Sequence, residues 1–351
     1  MFFDFFQNKK VLVTGHTGFK GAWLSLILIS MGAKVSGISL RPNDSRGNLY
    51  KILKLKKNMS SYYVDLRNNS KLNSTIKKIN PDMIFHLAAQ PFVLQSYKDP
   101  LDTISSNILG LCNLFEACRG LDNLKAVLNI TTDKCYENLE KKIPFVESDR
   151  LGGKDIYSAS KACSEIISKS YFQSFFQDLN ISLSTARAGN IIGGGDFGEN
   201  RIIPDLIESI ELNKFLHVRS PDAVRPWQHV LDVLNGYLIL MQKTFNKDFH
   251  FESFNFSPNV KQVVTVKDIV NKMSKQLDFK KVKYKKIKSN KESIILRLNP
   301  NKSKKILGWK CKYSITECAK ITANWYRSYL DNENMKTYSE KQINDFFTNS
   351  L

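Results

Sequence analysis

The feature that most limits how this chain can fold is a strand, a glycine turn and a helix at its very start. Lys10–Thr14 is an apolar, β-branched run of strand type, and residues 19–31 carry the apolar spacing of an amphipathic helix. Between them lies Gly15-His16-Thr17-Gly18-Phe19-Lys20-Gly21. Glycine at 15 permits a tight turn, Gly18 lets backbone approach a pyrophosphate, and Gly21 lets the helix pack close to a sheet. A phosphate would then rest on the helix N-terminus, where unpaired N–H groups and the helix dipole favour negative charge. The first two glycines are one residue further apart than in the usual dinucleotide fingerprint. Glycines at such a turn also have a purely structural use, so the context has to decide.

The context is alternation. Strands are expected at 34–40, 62–65, 82–89, 126–131 and Ser182–Ala188, with helices at 103–119 and 157–177. Strands alternating with helices predict an α/β fold: a Rossmann-type, doubly wound parallel sheet covered on both faces, with a smaller C-terminal substrate-binding lobe. The pattern changes near Ala188, where Gly193, Gly194 and Gly195 are followed by elements broken by Pro204, Pro221, Pro226, Pro258 and Pro300. Residues 1–190 are therefore read as a dinucleotide-binding domain and 191–335 as the second lobe. Segments of about 225–250 return to the first domain, as strands near 229–233, and 336–351 form a polar, mobile tail.

Charge bears on what the chain binds. Fifty-two Lys and Arg against 33 Asp and Glu leave a formal charge of +19 over 351 residues. Lysine is dense from 272 to 310, but no base-reading or stacking motif accompanies it. A Lys-rich surface around an anion-binding site is preferred to a nucleic-acid interface. Such a field attracts anionic substrates. No run of about 18 apolar residues predicts a membrane helix. The aromatic, acidic start lacks the regions of a secretory signal, so the cytoplasm is the expected location. Six scattered cysteines without a Cys-x-x-Cys pair read as free thiols and no metal site.

Further cofactor candidates sit at the ends of the next strands. An acid for the adenosine ribose is expected about 20 residues after the glycines. The second strand instead ends Ser39-Leu40-Arg41, so Arg41 either meets a 2′-phosphate or is simply exposed. Asp65 and Leu66 follow the third strand, with Asp65 placed for the adenine edge. Ala88, Ala89 and Gln90 follow the fourth, where small side chains let backbone lie against a cofactor.

Tyr157-Ser158-Ala159-Ser160-Lys161 puts Tyr and Lys on one helix face. A nearby ammonium lowers the pKa of a phenol, which then accepts a hydroxyl proton while hydride leaves the same carbon. Alone the spacing is common. After a glycine loop in an alternating chain it carries weight. Thr131-Thr132-Asp133-Lys134-Cys135-Tyr136 closes the preceding strand. Ligands of parallel sheets sit beyond the carboxyl ends of strands, so Thr132, Asp133 and Lys134 fall on the same edge as the glycine loop.

Together these strings resemble the extended short-chain dehydrogenase/reductases, and within them the CDP-glucose 4,6-dehydratases. The resemblance rests on TGHTGFKG with the aromatic helix after it, FHLAAQP, TDKCY, RAGNIIGGGD, RPWQHV and Leu307-Gly308-Trp309. It implies NAD as cofactor, CDP-glucose as substrate and CDP-4-keto-6-deoxyglucose as product, within deoxysugar and surface-polysaccharide biosynthesis. It gives Tyr157 the 4-hydroxyl proton, Thr132 a hydrogen bond to that hydroxyl, Lys161 the nicotinamide ribose and Asp133 the leaving 6-hydroxyl. Lys134 stands where related dehydratases have Glu, either as a base at carbon 5 or as a cation stabilising an enolate. Gln90, Asn190, Arg201 and Arg225 fall to the substrate, and helices 103–119 and 157–177 to a homodimer interface. A nucleotide-sugar 4-epimerase or reductase shares the fold. Against it stands the Asp133-Lys134 pair, since epimerisation needs no acid for a 6-hydroxyl. A non-catalytic dinucleotide or nucleic-acid binder would not need Thr132, Tyr157 and Lys161 together.

Overall fold

The computed structural model describes residues 3–42, 47–138, 143–259, 263–285 and 295–348. Its centre is a run of strands, β1 (Lys10–Thr14), β2 (Lys34–Ser39), β3 (Ser60–Tyr63), β4 (Met83–His86), β5 (Ala126–Ile130) and β6 (Ser182–Ala188), of which β4, β5 and β6 are buried throughout and the edge strand β3 is partly exposed. A later strand, Phe251–Phe256, lies outside β6 and completes a seven-stranded sheet in the order β3-β2-β1-β4-β5-β6-(251–256). Every pairing is parallel. The two-residue period divides the core. Val11, Val13, Met83, Phe85 and Leu128 enter one apolar cluster, while Leu12, Ile84 and Val127 enter another on the opposite face.

Helix α1 (Phe19–Ser30) follows β1, and α2 (Asn69–Ile79) follows β3. The helix expected at 103–119 runs through Pro100–Ile104, a π-helical turn Ser105–Leu109 and Gly110–Cys118, here together α3. Helix α4 (Ile156–Tyr171) continues into a second π-helical turn, Phe172–Phe176. The chain reverses direction across the sheet between β1 and β4, which opens a crevice at their carboxyl ends. The fold is thus the doubly wound one expected, with the third and fourth strands two or three residues earlier or shorter than the apolar pattern implied.

Beyond Ala188 two expectations are corrected. Residues 229–233 do not return to the sheet as strand. Gln228–His229 (β8) pairs only with Ile191–Ile192 (β7) in a separate two-stranded sheet, and Val230 begins helix α5 (Val230–Phe245). A short apolar run fits a strand or a buried helix equally well, and length decides here. Helix α5 packs on β5 and β6, and the strand that does rejoin the sheet is Phe251–Phe256, β9. The stretch expected as a mobile polar tail is helix α7 (Met335–Thr348), which packs against α6 (Ile315–Leu330) and α1. Its Met335, Ile343, Phe346 and Phe347 join the large core cluster, and Trp325 Nε1 donates to Ser339 Oγ at 2.9 Å. All six cysteines are free thiols. Among the described residues no helix is long and apolar enough to cross a membrane.

Helix α7 gives the fold a direct test. Burying a large apolar side chain contributes about 1.5–3 kcal/mol. Ending the chain after Asn334 should therefore remove roughly 5 kcal/mol or more and expose Trp325. Thermal unfolding and tryptophan emission should show a clear fall in Tm and a red shift. An unchanged Tm would mean that the helix is not part of the core.

Candidate active site

The glycine loop is shaped by close backbone approaches. Gly15 has φ +74°, and a Cβ there would lie 2.8 Å from the backbone N of Ala88. A Cβ on Gly21 would lie 2.1 Å from the carbonyl oxygen of Gly15. Gly18 caps α1 with no side-chain hydrogen bond, so the first-turn N–H groups stay available to a ligand. That donor set beside bare backbone fits a dinucleotide pyrophosphate. Below the loop, Thr14 Oγ1 meets His86 Nδ1 at 2.7 Å and accepts from Ala88 N at 3.2 Å, tying the ends of β1 and β4.

Side chains of the loop point in different directions. His16 is wholly buried against Gly37 and between Tyr50 and Tyr63, and burial lowers its pKa to about 4. It props the loop from beneath. Thr17 Oγ1 bonds Ser39 Oγ and the Leu40 carbonyl at the end of β2. Phe19 packs on the large core cluster. Lys20 turns towards the catalytic groups. Its ammonium is 5.7 Å from the Tyr237 ring centre, and burial, then the charges of Lys161 and Arg201, bring its pKa to about 7 against the pull of Asp133.

At the β2–β3 side, the exposed Arg41 lies over the Tyr63 ring at 5.4 Å. Asp65 does not present a bare carboxylate. Arg67 binds it through Nε at 3.0 Å and NH2 at 2.6 Å, which lowers its pKa. Leu66 is buried, with its carbonyl accepting from Asn113. Ala88 and Ala89 are half-buried beyond the end of β4. Gln90 spends its amide internally, on Phe92 and Thr103 Oγ1, and so shapes the loop.

Tyr157 and Lys161 stand on α4, capped by Asp155 accepting from Ser158 N, and each is 7% exposed. Lys161 Nζ donates to the Ile130 carbonyl at 3.4 Å. Burial lowers its pKa to about 8 against the attraction of Glu165. Burial raises Tyr157 to about 12, opposed by the neighbouring Thr132 hydroxyl. Thr132 Oγ1 donates to Asp133 Oδ1 at 2.9 Å. Asp133 is 2% exposed, and its Oδ2 is buried with no hydrogen-bond partner among the described residues. Burial raises its pKa, opposed by Lys134, Thr132 and Arg225. Lys134 is half-buried on the same short turn, Asp133–Cys135.

The second lobe closes on these groups. A Cβ on Gly189 would lie 2.2 Å from Pro226 Cγ and 2.9 Å from Asp133 Oδ2, so glycine lets the Arg225-Pro226 segment reach the acid. Arg225 is buried, and its NH1 donates to the Val224 carbonyl at 2.9 Å. Arg201 pairs with Asp196 at 3.1 Å and lies 5.1 Å over the Phe92 ring. Asn190 is half-buried, its carbonyl accepting from Gln228 N.

Thr132, Asp133, Lys134, Tyr157, Lys161, Arg201 and Arg225 thus gather at the inner end of the crevice, while Arg41, Asp65 and Leu66 lie at its β2–β3 end, as the two ends of a long dinucleotide require. Among the described residues no group of three His, Cys, Asp or Glu could hold a metal. Sequence reasoning missed the buried ion pair Glu165–Arg187, 2.8 Å apart beneath the site. The available signal was an arginine inside the otherwise uncharged run SLSTARA, and a glutamate one turn beyond Lys161. An uncompensated charge on a buried strand requires a partner.

Residues 12–322 match the GDP-mannose 4,6 dehydratase family. The CDP-glucose 4,6-dehydratase of Salmonella typhimurium is 38% identical to the chain, over 98% of both proteins. The dTDP-D-glucose 4,6-dehydratase of Dictyostelium discoideum is 27% identical over 67% of the chain and 56% of its own length. Among solved structures, the UDP-glucose 4-epimerase of Thermotoga maritima superposes with a TM-score of 0.79 at 23% identity, over 91% of this chain and 99% of that one. The dTDP-glucose 4,6-dehydratase of Bacillus anthracis, in complex with NAD, superposes with a TM-score of 0.77 at 22% identity, over 93% and 98%.

Proposed function

The chain belongs to the GDP-mannose 4,6 dehydratase family of extended short-chain dehydrogenase/reductases, and we propose that it converts CDP-glucose to CDP-4-keto-6-deoxyglucose with NAD as a recycled cofactor. One observation carries this reading beyond the fold. Asp133 offers a buried carboxyl oxygen with no hydrogen-bond partner among the described residues, beside the Thr132, Tyr157 and Lys161 set. An epimerase or simple reductase has no hydroxyl to expel and no need of such an acid. Full-length similarity to a CDP-glucose 4,6-dehydratase supports the same choice.

NAD, when bound, supplies a hydride acceptor that later returns the hydride. The Gly15, Gly18 and Gly21 loop and the N-terminus of α1 would hold its pyrophosphate, with Ala88 and Ala89 against its inner half and Arg41 near the adenosine end. Lys161 holds the ribose and, as an ammonium, helps Tyr157 ionise. Tyr157 takes the proton from the 4-hydroxyl, which Thr132 orients. The ketone formed at carbon 4 acidifies the proton on carbon 5. Asp133 gives its proton to the departing 6-hydroxyl, and burial, which raises its pKa, favours the protonated form this needs. Lys134 acts at carbon 5, as base or as the cation that stabilises the enolate. The hydride then goes to carbon 6, so the net change is loss of one water. Arg201, Arg225 and Asn190 receive the CDP moiety, whose two phosphate charges suit arginine. Both CDP-glucose and NAD are charged, so a cytoplasmic site of action accompanies this reading.

A second copy of the chain completes the assembly in this proposal. Leu101, Ile104 and Leu109 on α3, with Ile156 and Ile166 on α4, are 37–75% exposed on two helices that pack side by side. Apolar surface of this kind marks an interface.

Three outcomes test the proposal. Incubation with CDP-glucose should give a product lighter by one water without net NADH. A product of unchanged mass would point to epimerisation, and stoichiometric NADH to a dehydrogenase. Lys134→Met should still oxidise carbon 4 but stall before water loss, so NADH absorbance rises and solvent-deuterium exchange at carbon 5 disappears. A general acid or base contributes about 100- to 10,000-fold, and normal turnover in this variant would demote Lys134 to positioning. Light scattering at micromolar protein should give twice the chain mass, with Leu109→Glu shifting it to monomer. A monomeric wild type would refute the dimer.

A further inference from the structure

Glu165 and Arg187 lie beneath the reacting groups, and neither faces a ligand. Their side chains are 1% and 4% exposed. Glu165, one turn after Lys161 on α4, accepts from Thr131 Oγ1 through Oε1. Its Oε2 accepts from Thr185 Oγ1 at 2.7 Å and from Arg187 NH2 at 2.8 Å. Arg187 NH1 in turn donates to Tyr136 Oη at 2.8 Å and to the Glu147 carbonyl at 3.0 Å, with the guanidinium 5.0 Å over the Tyr136 ring. Tyr136 Oη donates to Asn255 Oδ1 at 2.7 Å. Thr131 and Tyr136 are the two ends of the segment that carries Thr132, Asp133 and Lys134. The carboxylate therefore grips its first residue, and the guanidinium its last.

A buried ion pair is weak evidence for stability, because desolvating two charges offsets their attraction. What it does supply is fixed geometry, since each group must stay within hydrogen-bond reach of its partner. Two catalytic sets have to meet at one sugar: Tyr157 and Lys161 on α4, and Asp133 and Lys134 on the segment after β5. Glu165 is on the same helix as the first set and holds the start of the second.

We propose that Glu165 and Arg187 are positioning residues that hold residues 131–136 at both ends against α4, keeping the oxidising and the eliminating groups in register on one substrate. The inference rests on the dehydration reading above. Loss of the clamp loosens Asp133 and Lys134 relative to the carbon that Tyr157 and Lys161 have oxidised. Oxidation should survive better than water loss.

The test compares wild type, Glu165→Gln and Tyr136→Phe, each saturated with NAD and given CDP-glucose. Glu165→Gln sets an amide against Arg187. Tyr136→Phe cuts only the far end of the clamp and leaves the ion pair intact, so it decides the question if the first variant does not fold. Water loss, read by product mass, should fall by up to about 100-fold, the cost of roughly 1 Å of misplacement. KM should change far less, and a fraction of the enzyme should accumulate NADH absorbance. Without any ligand, amide hydrogen exchange across residues 132–136 should speed up in both variants. A lower Tm with an unchanged ratio of oxidation to water loss would show a merely structural pair and overturn the inference. If wild type itself releases no water from CDP-glucose, the functional reading falls first, and the inference with it.

Discussion

Everything at this site depends on how closely three pieces of backbone approach one another at the carboxyl end of β1. The Gly15 carbonyl lies where a side chain on Gly21 would have to be, and Gly15 itself abuts Ala88 at the end of β4. A parallel sheet buried on both faces sends every strand exit to one edge, and the reversal between β1 and β4 leaves an opening there. The glycines let α1 start low enough in that opening for its free N–H groups to face a ligand. Thr131 to Tyr136 at the exit of β5, and Gly189 to Asn190 at the exit of β6, share the edge because their strands are next in order. The catalytic constellation is a consequence of strand order before it is a matter of individual side chains.

Strand order was legible because buried parallel strands read as near-continuous apolar runs, and β1, β4 and β5 do. The same run misled at 229–233. Val230-Leu231-Asp232-Val233-Leu234 is apolar enough for a strand, but it begins a 16-residue helix buried against β5 and β6. The residues after Asp331 misled in the opposite sense. Lys, Glu, Asn and Asp dominate the count there, yet Ile343, Phe346 and Phe347 are spaced for one helix face and sit in the core. Composition averages over a helix, whereas burial depends on a single stripe.

Among site residues, motif and topology together put Thr132, Asp133, Tyr157 and Lys161 on one edge, while Arg225 came only from the resemblance. They did not foresee what each side chain does locally. His16 looks like a loop residue facing a ligand, but its ring fills the space that Gly37 leaves open. Asp65 reads as a free acid until Arg67, two residues on, occupies both its oxygens. Gln90 reads as a binding amide, but its hydrogen bonds close its own loop. Such details depend on rotamers and partners in neighbouring loops, which no spacing rule encodes. Glu165 and Arg187 were missed for a different reason. Each is an ordinary charged residue until β6 is known to be buried along its whole length.

Burial acts in the same sense on four ionisable groups of the cluster. It raises Asp133 and Tyr157 and lowers Lys161 and Lys20, pushing each towards its neutral form. For Asp133 the shift favours the neutral state, the carboxylic acid over the carboxylate, opposed by Lys134 and Arg225 nearby. For Tyr157 it is the wrong state, since a phenol near 12 is a poor base. The missing charge has to arrive with the ligands. Under the proposed reaction, a nicotinamide cation beside Tyr157 would favour the phenolate, and a diphosphate beside Arg225 would offset the guanidinium charge near Asp133. In the proposed reaction, acid and base would thus be set apart by what binds next to each of them. In the proposed reaction such a site would develop its base only when cofactor is in place.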